Sequence, residues 1–408
     1  DGNPIQIDLF ENGKICRRNL YDDRGFVSST ILFQEEKPVR QDYLCENGKW
    51  KLRCYPEDGH VEINPEYPDY SILCADREQL NRFSGLRYDS MDQVVCEVLA
   101  AYLKLTDRRD IFCVAMQEQH VKLLRELLHG KMHGKQTILS FFEDRYRVDQ
   151  HPEDRDILNK VGYIITDSQE NTVRIGTGTG NRKLPVMNIP PYDTRTDFGI
   201  SQQMSVQKIL VPVDGVEEAV FCEVIAALGK YLTTNDKARV YLFTRQAEYD
   251  RERKLLEQTR KSLKDSGFPE EWAAEEEGGF ISENELEQQT GTVILFRVTQ
   301  CVDELAVSRC VREQRVMVDM RRRPELYLQI MALSVGIPQI VSKRTQFVRH
   351  GKNGCVLKDI RKLPDVLHYY LGSMTNWNDA VVSSYRLVKR YTAEVLLEKW
   401  KEVIDSVG

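Results

Sequence analysis

Two arginines, two glycine-centred turns and the helix between them carry most of the chemistry this sequence could perform. Arg245 and Arg297 fall at the predicted C-terminal ends of short apolar strands, the edge at which open parallel sheets bind ligands. A guanidinium there is suited to an anion or a glycan, so both are candidates for anion or glycan binding. The plainer reading is a surface arginine or an ion pair. Gly336-Ile337-Pro338 ends an apolar helical stretch, and Gly351-Lys352-Asn353-Gly354 follows as a tight reversal. Gly336 supplies the positive φ that helix ends use and Pro338 forbids continuation. The seven histidines are dispersed. His129 and His133 are four apart, but Gly130 and Gly134 interrupt any helix there. No metal site, no cofactor and no Ser-His-Asp grouping is expected. Gly176-Thr177-Gly178-Thr179-Gly180 lacks the G-x-G-x-x-G spacing of a dinucleotide site. It reads as a hairpin turn within an irregular stretch, 169–204.

The elements that must position these residues fall into three series. From Ile5 to about Asn64, β-prone runs alternate with the turns Glu11-Asn12-Gly13, Asp22-Asp23-Arg24-Gly25, Glu46-Asn47-Gly48 and Glu57-Asp58-Gly59. Asn-Gly and Asp-Gly favour tight hairpins, so this is a β-meander. Its strands interleave cations with aromatics. Arg17, Arg24, Trp50 and Arg53 are the candidates for partner or polymer binding, if the face is an extended platform and not merely a solvated surface. From about Asp89 the period becomes helical. Met91–Leu103 and 119–128 alternate with the apolar runs 111–115, 137–141 and 161–166, the sign of parallel βαβ units. A second series starts at Lys208, with strands at 208–213, 239–244, 293–296 and 315–319 and helices at 216–232, 249–265, 302–310 and 324–335. Glu275-Glu276-Glu277-Gly278-Gly279 reads as an exposed acidic connection. Three helical stretches close the chain. The expected domains are therefore a meander (1–75), a first Rossmann-like domain (76–204), a second (205–374), and C-terminal helices packing back on the first (375–408). The chain opens at Asp1 and runs straight into strand-like sequence, so the start of the first Rossmann half is expected to be missing.

At 408 residues the chain is too long for one ordinary domain. Charged residues at 29% and hydrophobic residues at 41% are those of a globular protein. A net charge of −6 argues against a general nucleic-acid binder. No run approaches the roughly 18 apolar residues of a membrane span. The ten cysteines include no C-x-x-C pair, which favours thiols in a reducing, cytoplasmic setting.

The glycine motifs resemble the nucleotide-sugar half of a retaining GT-B glycosyltransferase, where a helix E-x7-E-A-x-x-x-G-x-P precedes a strand and a D/H-G-x-N-G turn. Such an enzyme needs one carboxylate near the donor sugar, a second for the ribose hydroxyls, and Arg or Lys for the departing diphosphate. On that pattern the two acidic positions are Arg323 and Met331, and Gly336, Gly351 and Gly354 complete a degenerate donor site. Losing a charge-assisted hydrogen bond to ribose costs about 1.5–3 kcal/mol. Glu325, two residues along, faces another side of the helix and is a poor substitute.

Three stretches sharpen the resemblance: Tyr21-Asp22-Asp23-Arg24-Gly25-Phe26, Asp193-Thr194-Arg195-Thr196-Asp197-Phe198-Gly199-Ile200-Ser201-Gln202-Gln203, and Pro324 to Pro338 with Gly351–Gly354. Together they are similar to the first accessory secretory protein family (the Asp-one family) of the accessory Sec system of Gram-positive bacteria. The resemblance implies an α/β fold, a GT-B-like pair of Rossmann-type domains with an extended antiparallel β-sheet domain, and no transferase activity. It implies as partners the second and third accessory secretory proteins, the accessory Sec ATPase and the serine-rich-repeat glycoprotein adhesin, with peripheral contact to the anionic cytoplasmic membrane face. The competing expectation is a glycosyltransferase, or its substrate-binding subunit, modifying the same adhesin.

Overall fold

The computed structural model describes residues 5–74, 77–107, 109–130, 134–178, 184–248, 250–274 and 293–408. The acidic run 275–279 and His133, and with it the His129–His133 pair, lie outside the described residues. The chain divides into two compact units. The first holds Asp1–Ile165, Val173–Met187 and Val403–Gly408, and the second Thr166–Thr172 and Asn188–Glu402.

In the first unit, strands Gln6–Glu11, Lys14–Tyr21, Val27–Gln34, Lys37–Leu44, Trp50–Cys54 and Val61–Ile63 pair antiparallel in chain order, and Arg87–Tyr88 completes the seven-stranded sheet. Asn12 and Gly13 both take positive φ (51° and 77°) in the first reversal, the geometry that matches strand twist. The reversal between Val27–Gln34 and Lys37–Leu44 uses Glu35 and Glu36 at φ 48° and 62°. No glycine or asparagine marks it; the register Gln34↔Lys37 forces it. One face of the sheet is apolar where Leu52, Val61, Ile63 and Tyr88 pack with Val94 of the helix Met91–Leu103. Asp69–Cys74 and Arg77–Arg82 form a separate hairpin. A four-stranded sheet, ordered Phe112–Ala115, Thr137–Phe141, Tyr163–Thr166 and Val186–Asn188, follows, its first pair parallel.

Residues 169–204 are not wholly irregular, and the expected hairpin at Gly176–Gly178 is corrected: Gln169–Gly178 is an α-helix. Its propensity is poor, with two glycines and two threonines. Packing of Ile175, 2% exposed, against the core of that sheet overrides propensity. Thr177 Oγ1 donates back to the Val173 and Arg174 carbonyls. Thr179 and Gly180 lie outside the described residues.

The second unit is built on a six-stranded parallel sheet. Its spatial order is Phe296–Gln300, Ala238–Thr244, Gln207–Pro212, Val316–Asp319, Gln339–Val341 and Gly354–Val356. Alternate residues feed opposite cores. Ile209, Val211, Val316 and Val318 pack on one side with the helix Glu218–Leu232, while Leu210 and Met317 pack on the other with Leu328, Ala332 and Trp377. Apolar side chains on both faces are what a helix-covered parallel sheet demands. The chain lays strands outward on one side of Gln207–Pro212 and then returns to the other, so the order reverses between Gln207–Pro212 and Val316–Asp319. A ligand crevice is expected beyond the carboxyl ends of those two strands.

Candidate functional site

The carboxyl ends of the central strands carry Asp214, Arg245, Asp319 and Arg321, and their side chains satisfy one another. Asp214, just past Gln207–Pro212, accepts hydrogen bonds from Thr244 Oγ1 (2.7 Å), the Arg245 main-chain N–H (2.6 Å) and Arg251 Nη2 (3.0 Å). At the end of the next strand, Arg321 Nε and Nη2 donate to the two oxygens of Asp319 at 2.9 and 2.7 Å. Asp319 is fully buried and the Arg321 side chain is 7% exposed. Burial works against the Arg321 charge, but Asp319 outweighs it and its pKa lies above the ordinary arginine value.

Arg245 follows Ala238–Thr244, at the sheet edge where a crevice is expected. Its Nε and Nη2 donate to Glu325 Oε1 at 3.0 and 2.7 Å, and its Nη1 donates to the Val302 carbonyl at 3.3 Å. The guanidinium lies 5.8 Å from the centre of the Tyr327 ring. Burial again opposes its charge and Glu325 reverses the effect, raising its pKa. Glu325 Oε2 also approaches Arg321 Nη1 at 3.9 Å, so one carboxylate bridges two guanidiniums.

Arg297 requires a correction. The strand expected at 293–296 is Phe296–Gln300, so Arg297 lies near its beginning, opposite Tyr241, and is 5% exposed. It stands three residues short of the strand's carboxyl end, about 10 Å at the usual rise, and is not brought to Arg245. The shift has a physical cause. Phe296–Gln300 is an edge strand, which tolerates polar residues, while Leu295 donates its N–H to the Trp272 carbonyl and accepts from Val240.

The positions expected to form a degenerate donor site sit on a bend, a helix, its cap and a turn. The helix runs Leu326–Val335, so Arg323 is exposed on the preceding bend, because a residue before proline is driven out of the helical region. Glu325 occupies the N-cap with no capping hydrogen bond from its side chain. Met331, expected at the second acidic position of the GT-B pattern, is half-buried against the cluster of Leu328, Ala332 and Trp377. Gly336 is the left-handed cap at φ 87°. In the last turn, Gly351 N–H donates to the Gly354 carbonyl (2.9 Å), and the buried Asn353 side chain accepts from Arg349 N–H (2.7 Å) and donates to the Phe347 carbonyl (2.8 Å). This turn is internally satisfied.

The stretch Asp193–Gln203 is a strap within the second unit, not a ligand loop. Thr194 donates through its main-chain N–H to the Tyr391 carbonyl (2.8 Å) and through its hydroxyl to the Val388 carbonyl (2.7 Å). Asp197 N–H donates to the Ser334 carbonyl and Ile200 N–H to that of Arg312, while Asp197 pairs with Arg312 at 2.8 Å. Nothing in the sequence pattern alone signalled this role.

On the meander, Arg53 donates to both oxygens of Asp42 (2.8 and 3.1 Å) and stacks 4.2 Å over Trp50. Arg24 sits in its turn, paired with Asp22 and Glu46, over Phe26. Arg17 is exposed on the same face as Arg53, three strands away, about 14 Å. Asn19, Thr30, Asp42, Arg53, Glu62 and Arg87 lie opposite one another across six strands, one continuous polar row. A cluster that sequence reasoning missed is His151, Glu153 and Asp154, whose ligand atoms lie within 4.8 Å of one another. Asp154 already accepts from Tyr146 and Arg125, and His151 stacks on Tyr146.

Residues 1–406 match the family model of "Accessory Sec system protein Asp1". The chain belongs to this family. It is 28% identical over 411 residues to the accessory Sec system protein Asp1 of Streptococcus gordonii, covering 98% of this chain and 74% of that one. Among solved structures it is similar to one of accessory secretory protein 1, 2 and 3 in Streptococcus pneumoniae, with TM-score 0.73 and 25% identity over 98% of this chain and 72% of that one. The pneumococcal O-GlcNAc transferase GtfA, solved with UDP and GlcNAc, shares the fold at TM-score 0.61 and 12% identity, covering 99% of this chain and 81% of that one. The fold class expected from the sequence, a GT-B-like pair of Rossmann-type domains with an antiparallel sheet, is the one found. Among the described residues no helix is long and apolar enough to cross a membrane.

Proposed function

We propose that this chain is a non-catalytic component of the accessory Sec pathway that binds the other accessory secretory proteins and the serine-rich-repeat glycoprotein adhesin and assists its export. The observation that carries the non-catalytic reading is the closure of Arg245 on Glu325 at 2.7 Å, where a transferase would leave its cation open to a diphosphate. The apolar packing of Met331 supports it. Association with the second and third accessory secretory proteins is supported by the relative solved with them. The accessory Sec ATPase and the anionic cytoplasmic membrane face complete the proposed setting. The polar row of the meander and its Arg53–Trp50 stack supply an extended surface for a polymer or partner. The alternative, a transferase or its substrate-binding subunit acting on the same adhesin, is favoured by the fold shared with GtfA.

Co-expression tests the partner reading. A tag on this chain is expected to retain the second and third accessory secretory proteins through affinity and size-exclusion steps, in constant ratio. Elution of this chain alone, with both partners soluble, would contradict it.

A further inference from the structure

We propose that the Glu325 carboxylate is a built-in anion occupying a latent pyrophosphate-binding site formed by Arg245 and Arg321, and that it closes this site to nucleoside diphosphates. The inference goes beyond the non-catalytic reading, which stands if it fails, since binding and transfer are measured separately.

The position is that of a ligand. Arg245 and Arg321 follow two strands that flank Gln207–Pro212 on either side, at the carboxyl edge where open sheets take anions. Glu325 faces both guanidiniums, at 2.7 and 3.9 Å. Carboxylate and phosphate oxygens are interchangeable partners for a guanidinium fork. Glu325 is not needed there as a helix cap, because its side chain makes no capping bond although it holds the N-cap position. Among the described residues its side chain pairs with these two arginines.

The charge balance explains the closure. Arg245, Arg251 and Arg321 face Asp214, Asp319, Glu304 and Glu325, a set that repels an incoming anion. Neutralising Glu325 leaves three guanidiniums against three carboxylates, with Arg322 and Arg323 exposed on the same bend. Arg245 then keeps the neutral Val302 carbonyl and, as its carboxylate partner among the described residues, Glu304 at 3.7 Å and 61% exposed, which screening weakens.

The test is calorimetric titration of inorganic pyrophosphate and of UDP into the wild-type chain, Glu325→Gln and Glu325→Ser at one ionic strength. Serine is a favoured N-cap residue, so the second variant keeps the helix start intact if the first folds poorly. At least tenfold tighter pyrophosphate binding is expected in the variants, and Arg245→Gln added to either should abolish the gain. UDP is expected to gain no more than pyrophosphate, because Met331 offers the ribose no acceptor. Unchanged binding in folded variants, or a gain that survives Arg245→Gln, would overturn the proposal.

Discussion

Replacing Asp319 by alanine is expected to destabilise the second unit by about 3–5 kcal/mol, the usual loss when one partner of a buried ion pair is removed. Asp319 is fully buried and accepts from Arg321 Nε, Nη2 and main-chain N–H. Without it, a guanidinium whose side chain is 7% exposed keeps, among the described residues, the longer pair with Glu325 at 3.9 Å. The energy resides in the uncompensated charge and not in the pair itself. Asp319→Ala combined with Arg321→Met is therefore expected to recover much of the loss. Denaturant unfolding of the wild type, the single and the double variant measures this directly. A single variant within about 1 kcal/mol of wild type, or a double variant worse than the single, would show that the pair does not organise the crevice.

Gly354→Ala is expected to cost about 3 kcal/mol, the upper end for forced overpacking. A Cβ on Gly354 would lie 2.1 Å from the Gln339 carbonyl oxygen and 3.0 Å from Val348 Cγ1, in the middle of the pairing Gln339↔Gly354. The neighbour is main chain and cannot swing aside. Gly351, three residues earlier in the same turn, makes the contrast: its Cβ would meet nothing within 4 Å, but its φ is 72°. Gly351→Ala should therefore cost only about 1–2 kcal/mol of backbone strain. Melting temperatures of the two variants should differ by several degrees, at roughly 2–4 °C per kcal/mol. Equal shifts would mean that steric fit at position 354 is not what the motif protects.

The parallel sheet of the second unit was legible because both faces of Gln207–Pro212 and Ala238–Thr244 are apolar. The hairpins were legible where Asn-Gly or Asp-Gly marked them. The Glu35–Glu36 reversal was not, since its positive φ angles are imposed by register. The helix Gln169–Gly178 was missed because tertiary packing of Ile175 outweighs its glycines. The candidate site was read in outline only. The position of Arg245 after a strand is legible, but its partner Glu325 is not, because a helix over 324–335 puts Glu325 inside it and turned to another side. Once the helix begins at Leu326, Glu325 becomes the cap residue and is free to turn toward Arg245. Arg297 is not at a strand end because the apolar run 293–296 closes on Phe296, where the strand Phe296–Gln300 begins.

We propose that a GT-B-like fold has been kept while its donor chemistry has been closed. The most direct measurement is nucleotide release from nucleotide-sugar donors, with and without the adhesin polypeptide as acceptor. Release at the level of the protein-free control is predicted. Robust turnover that disappears on substituting Arg245 would contradict the account.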